Sequence, residues 1–448
     1  MLFLLQDWLA EFRGTRIQKN ALQKRPKGPP SAIVFSRQSL TFPPSRVPTW
    51  FCFIVIAGLF MSETVRAADE SDRLAALPGI LSPFIDRGEV AGAVAMVATK
   101  DQTLHLSAVG QSDLAISRKM KTDDLFWIGA MSEPITAAAI GLLVDDRKLS
   151  FDDPVQTFIP EFSDLWVSES ETPEHRVQVK ANRPITVRDL LTHTSGLGAY
   201  RVTGPHWLLG EMTQAITREP LQFQPGTRWS YSAAGVDALA RIIEVISGMS
   251  LADFLDARIF RPLEMHDTIF WPDSVQQKRL AHSYAPKAST HQLLEIDNPS
   301  LYGGTETDHA RPALGGTGLF STAEDLTKFF QMILNGGKLK GGSFLRPETI
   351  TELTKKQTQV PTTHPGMVWG LGFCVIEDPK QQEVNATLSA GSFGATGAHG
   401  TNIWADPSRG LIYVLLLQRG GLMPGPGDSD IRRAFQGAAG LAPKATKS

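Results

Sequence analysis

Cysteine is scarce: two residues in 448, Cys52 and Cys374. Cys52 lies in an apolar run expected to be removed, which leaves Cys374 without an intramolecular partner and excludes a disulfide framework. The ten histidines are scattered, with no H-E-x-x-H and no clustered Cys/His spacing, so no metal is expected. No Walker-type loop is present: "NGGKLKGG" (335–342) has the composition of a turn and does not follow a strand, and no cofactor is expected. A surplus of charge is missing too, at a formal net of -2. With no basic patch interleaved with aromatics, nucleic acid is not an expected partner.

The one long apolar stretch, "WFCFIVIAGLFM" (50–61), follows Arg46 and precedes "SETVRAADE". Val65 and Ala67 place small residues three and one positions before a plausible cut. The pattern is that of a secretory signal, and the run is too short to span a membrane comfortably. Residues 49–67 are therefore expected to be a signal peptide or an uncleaved anchor, the chain's only expected tie to a membrane. The protein is expected to be exported, periplasmic or secreted. Residues 1–48 form a basic extension without helical or strand period, best accounted for by a start site placed too far upstream. Residues 1–67 hold nine Lys and Arg against three Asp and Glu, leaving 35 against 43 in the remainder, as suits export.

From residue 68 to 448 the chain reads as one domain. "VAGAVAMVATK" (90–100) and "QTLHLSAVG" (102–110) read as a hairpin turning at Lys100-Asp101. "MVWGLGFCVIED" (367–378), "GTNIWADP" (400–407) and "GLIYVLLLQR" (410–419) read as strands near the other end. Between them the text is helical and loop-rich. "ITVRDLLTH" starts on a Thr186 cap, 232–248 has helical spacing ending at Gly248, and 321–337 has Ser/Thr caps with acids in its first turn. Residues 165–182 and 283–310 read as long polar loops. Strands at both termini with helices between them predict an α+β fold whose antiparallel sheet closes by joining the two ends, beside a mostly helical lobe.

Five segments then carry a resemblance. "LLTHTSGL" (190–197), "QPGTRWSYSAAG" (224–235), "RPLEMHDTIF" (261–270), "GGTGLFSTAEDL" (315–326) and "FGATGAHGTNIWADP" (393–407) occur in the order and spacing of the β-lactamase-related serine hydrolases. That group includes the class C β-lactamases, penicillin-binding proteins and esterases. The resemblance spans about residues 78–420 and implies the β-lactamase/transpeptidase-like fold.

It also implies a site, and the site's polar groups are missing. The family needs S-x-x-K at the start of a buried helix, a nucleophile with a lysine one turn on to handle its proton. This chain has I-G-A-M-S-E-P-I-T-A, which puts Ala130 at the nucleophile position and Glu133 at the lysine position. The family's Y-x-N is Tyr231-Ser232-Ala233 here, and its K-T-G or H-x-G is Ala395-Thr396-Gly397. A methyl group cannot attack a carbonyl, and an acid in place of lysine opposes a developing oxyanion. If buried without a partner, Glu133 is expected to neutralise.

Other groups fit the lost role poorly. Ser132 lies two residues past Ala130, a rotation of about 200° on a helix, and is expected to point away. Ser195 sits in a glycine turn where His193 and Thr194 look structural. His399, on an extended strand, would share a face with Ala395 and Gly397. Two functions remain open. In one, a catalytically inactive binding protein keeps a vestigial cleft of Ala130, Glu133, Tyr231, Ala233, Ala395, Gly397 and His399. Its ligand would be a small molecule, a cell-wall peptide or a protein, cationic or neutral before anionic. In the other, a surviving hydrolase works with water through Tyr231, Glu133 or His399.

Overall fold

Strands from both ends of the chain meet in one sheet. In the computed structural model, which describes residues 73–171, 176–200, 207–287, 292–298, 305–339, 342–420 and 426–440, the N-terminal strands are β1 (Gly92–Thr99), β2 (Thr103–Asp113) and β3 (Arg118–Lys119). The C-terminal ones are β4 (Met367–Trp369), β5 (Cys374–Ile376), β6 (Phe393–Thr396), β7 (Asn402–Asp406) and β8 (Leu411–Leu417). The order is β4-β5-β6-β7-β8-β1-β2-β3, antiparallel throughout. Closure comes from β1 against β8, with Val94 opposite Leu416 and Met96 opposite Val414. The signal or anchor predicted at 49–67, and the extension at 1–48, lie outside the described residues.

Both faces of this closure are covered, which is why β1 and β8 read as unbroken apolar runs. Val94, Met96, Val414 and Leu416 face a core shared with α2 (Glu133–Asp145) and α5 (Ala323–Leu334). Ala95, Val97, Tyr413 and Leu415 face a second core, with Leu77, Leu81, Ile431 and Phe435 from α1 (Leu77–Asp86) and α6 (Pro426–Ala439). Each large side chain so buried contributes about 1.5–3 kcal/mol, so a one-residue slip of β1 is strongly disfavoured.

The helical lobe follows its sequence signals. In α3 (Val187–Leu191), Thr186 accepts from Asp189 N while the Asp189 carboxylate caps back, and α4 (Ala233–Ser247) ends on Gly248 in the left-handed region, φ 70°. Thr322 caps α5. Among the described residues no helix is long and apolar enough to cross a membrane.

Three stretches differ from the sequence reading. Residues 367–378 form the hairpin β4–β5 in place of one strand, reversed at Gly370–Phe373. Gly372 makes the turn at φ 78°, and a Cβ there would lie 2.4 Å from the Ala137 Cβ of α2. Its N–H donates to Leu191 O at 2.9 Å, so the turn is wedged between two helices. Residues 165–182 contain a bulged ribbon, Trp166–Glu171 against Arg176–Lys180. Its polar alternation suits a solvated sheet, and its polarity disguised it as a loop. Within 283–310, Tyr284–Pro286 pairs with Leu293–Glu295.

Candidate functional site

The segment matching S-x-x-K opens with a 3-10 turn, Gly129–Ser132, that runs directly into α2. Gly129 takes φ 52°, and a Cβ there would come within 3.3 Å of Ala398 N. Gly397 is equally constrained, since a Cβ on it would lie 2.3 Å from the Ile128 carbonyl. These two glycines let the end of β6 dock on the turn, and Thr401 Oγ1 secures it by donating to Ile128 O at 3.2 Å. Opposite, Gly315 and Gly316 press on Thr136 of α2 and Ala233 of α4. Distant segments thus pack on the turn and on the helix that follows it.

Ala130 is partly exposed, whereas Met131, Ser132 and Glu133 are buried. Ser132 Oγ donates to Gly129 O at 2.7 Å and accepts from Leu319 N at 3.2 Å, turned inward as the helical rotation requires. Ser195 is buried and accepts from Leu197 N. Neither hydroxyl is presented beside Ala130.

Glu133 is only 4% exposed, and it is partnered. The Tyr231 hydroxyl donates to Oε1 at 2.5 Å, and His193 Nε2 lies 3.2 Å from Oε2. The Ser232 N–H donates to His193 Nδ1 at 3.3 Å, so the ring proton resides on Nε2 and points at the carboxylate. The condition set for neutralisation, burial without a partner, is not met: residues from two distant segments bond to it. His193 was not among the predicted site residues. Its place in "HTSGL" suggested only backbone bonding, and nothing local to the sequence says that its second nitrogen reaches a helix sixty residues earlier.

The surroundings are aromatic and acidic. His193 meets Tyr231, Trp369 and Trp229 at ring-centroid distances of 4.8, 5.3 and 6.1 Å. Burial, and then the Glu133 charge, hold the Tyr231 phenol well above the ordinary tyrosine range. The same two causes push the buried Cys374 thiol up, which leaves it inert as a nucleophile. Asp237 on α4 accepts from Gly316 N at 3.0 Å and from the Tyr200 hydroxyl at 3.3 Å, and burial raises its pKa to about 7.

The remaining predicted residues divide. Tyr231 is 43% exposed although its hydroxyl turns inward, and Ala233 is partly exposed. Ala395 is buried in β6, and Gly397 is backbone support. His399 does not share their face, because β6 stops at Thr396 and the chain turns through 398–400. Its ring is buried, edge-on to Trp127 at 4.5 Å, with Nδ1 2.8 Å from Ser283 Oγ. Burial lowers its pKa to about 4, so it is a neutral packing imidazole. Among the described residues no group of three His, Cys, Asp or Glu could hold a metal ion. A cavity of about 550 Å³ between the helix Leu209–Thr217 and α4 includes none of the predicted site residues.

Comparison with known proteins agrees with this architecture. The family model described as Beta-lactamase matches residues 77–438. Protein Rv1367c of Mycobacterium tuberculosis is 32% identical over 363 residues, 74% of this chain and 87% of that protein. Esterase EstB of Burkholderia gladioli is 28% identical over 388 residues, 80% of this chain and 93% of the esterase. The solved structure of EstCE1, described as a hydrolase with promiscuous acyltransferase activity, superposes with a TM-score of 0.69 at 24% identity, covering 82% of this chain and 99% of that one. Extent, order of motifs and fold agree: this chain belongs to the β-lactamase family of serine-hydrolase-fold proteins.

Proposed function

We propose that this chain is an exported, catalytically inactive member of its family that binds a ligand in the vestigial groove around Ala130. The observation that carries the reading is the methyl group of Ala130 at the partly exposed opening of the α2 turn, with Ser132 and Ser195 both buried and bonded to backbone groups. Loss of the nucleophile alone costs a serine hydrolase about 10⁶ in turnover, leaving what binding and the oxyanion hole provide. Export is supported by the apolar run at 50–61, the small residues at 65 and 67, and the acidic balance of residues 68–448. A small molecule or a cell-wall peptide suits a sequence without a basic patch better than a nucleic acid does.

The competing reading is hydrolysis by water with Glu133 as general base. A base must reach the proton it removes, and both Glu133 oxygens already accept from Tyr231 and His193 beneath the surface. Hydrolysis of a p-nitrophenyl ester by the purified protein decides between the two. The inactive reading expects no turnover above buffer. Steady turnover that disappears in Glu133→Gln would establish the water route instead.

A further inference from the structure

We propose that the groove recognises an organic cation, specifically a methylated (quaternary) ammonium group seated on the partly exposed side chain of Tyr231 beside the Ala130 methyl. The proposal rests on the inactive-binder reading in that it names the ligand of the same groove.

Charge is the first ground. His193 accepts the Ser232 N–H at Nδ1 and therefore bears its proton on Nε2 as a neutral ring, and Tyr231 is a neutral donor. The Glu133 carboxylate is thus held by hydrogen bonds from a phenol and an imidazole. Among the described residues no lysine or arginine forms an ion pair with Glu133, whose partner is His193. Asp237, held by Gly316 N and the Tyr200 hydroxyl, is close enough to feel that charge and brings no cation.

Shape and chemistry at the surface supply the second ground. Tyr231 as a residue is 43% exposed and its hydroxyl is fixed by its bond to Glu133, so a carboxylate lies behind a partly exposed side chain. A cation over its ring gains from both the ring quadrupole and the charge beneath. Among the described residues, the lysines and arginines that lie over aromatic rings use rings other than Tyr231, Trp229 and Trp369. Ala130, three residues before Glu133, and Ala233, two after Tyr231, are both partly exposed and offer only methyls.

The class of cation is set by how little Glu133 has left to give. Both oxygens accept hydrogen bonds below the surface, so Glu133 acts on a ligand as a charge behind the ring, and a primary ammonium on that ring would leave protons without acceptors. A methylated ammonium needs no acceptors and buries its methyl groups against alanines and an aromatic face. An anion would meet the Glu133 carboxylate behind the phenol, with no lysine or arginine paired to it among the described residues.

Calorimetric titration of the full chain with choline and with its uncharged carbon isostere, 3,3-dimethylbutan-1-ol, tests this. Choline is expected to bind at least about tenfold more tightly, a difference of about 1.4 kcal/mol. In Glu133→Gln and in Tyr231→Leu that ratio should fall to about twofold or less. Equal binding of the two probes, tighter binding of pivalate, or no saturable choline binding would overturn the proposal. So would an undiminished ratio in folded Glu133→Gln. The wild-type ratio stands as a test even if a variant fails to fold. Ester turnover would refute the inactive reading while leaving the ratio intact, whereas a lost ratio without turnover would sink only the ligand assignment.

Discussion

Replacing Tyr231 with phenylalanine removes one hydroxyl, the inward-turned donor to Glu133. Glu133, 4% exposed, would keep the His193 bond and lose the 2.5 Å bond to Oε1. A hydrogen bond to a charged group is worth about 1.5–3 kcal/mol. Tyr231 is 43% exposed, so water can reach part of the vacated space, which places the cost in the lower half of that range, about 2 kcal/mol. Urea unfolding should therefore show a lower midpoint at unchanged slope. A cycle with Glu133→Gln should return a coupling of about 1–2 kcal/mol, as for groups in one network. The pH dependence has a defined sign. The phenol titrates well above its unfolded value, so the folded state keeps a proton that the unfolded state sheds near pH 10. Its contribution is complete below pH 10 and is lost as pH climbs beyond it, and Tyr231→Phe should flatten that alkaline slope. Zero coupling, or a stability change below about 0.5 kcal/mol, would refute the network as drawn.

Other expectations rest on the same geometry. Asp237, with its pKa raised to about 7, holds a proton between pH 4 and 7 that the unfolded chain releases, so stability should fall as pH rises through that window. The loss amounts to at most about 4 kcal/mol. Asp237→Asn should flatten it in pH-resolved denaturant titrations. Gly372→Ala adds a Cβ 2.4 Å from that of Ala137 at φ 78°, and a loss of about 2–4 kcal/mol should appear as a lowered melting temperature. Cys374, buried and with its thiol pushed up, should resist alkylation in the native protein and react on unfolding, as read by peptide mass mapping.

Sequence periodicity foretold the sheet closure because β1 and β8 are apolar on both faces, and turn chemistry marked α3, α4 and α5 through Thr186, Gly248 and Thr322. It failed where three-dimensional contact decides. Gly370 and Gly372 sit inside an apolar run that looks like one strand, and only the packing of Gly372 on Ala137 fixes the reversal. The alternation that would have turned His399 toward Ala395 assumed a strand that stops at Thr396. Glu133 at the lysine position was evident from its neighbours, yet its two donors lie 60 and 98 residues away and leave no trace in local text.

The central claim is that no nucleophile stands where acylation would begin, at Ala130. Intact-protein mass spectrometry after exposure to a fluorophosphonate and to a penicillin measures this directly. The account predicts an unchanged mass with both reagents. A stoichiometric adduct mapped to any serine of this chain would contradict it.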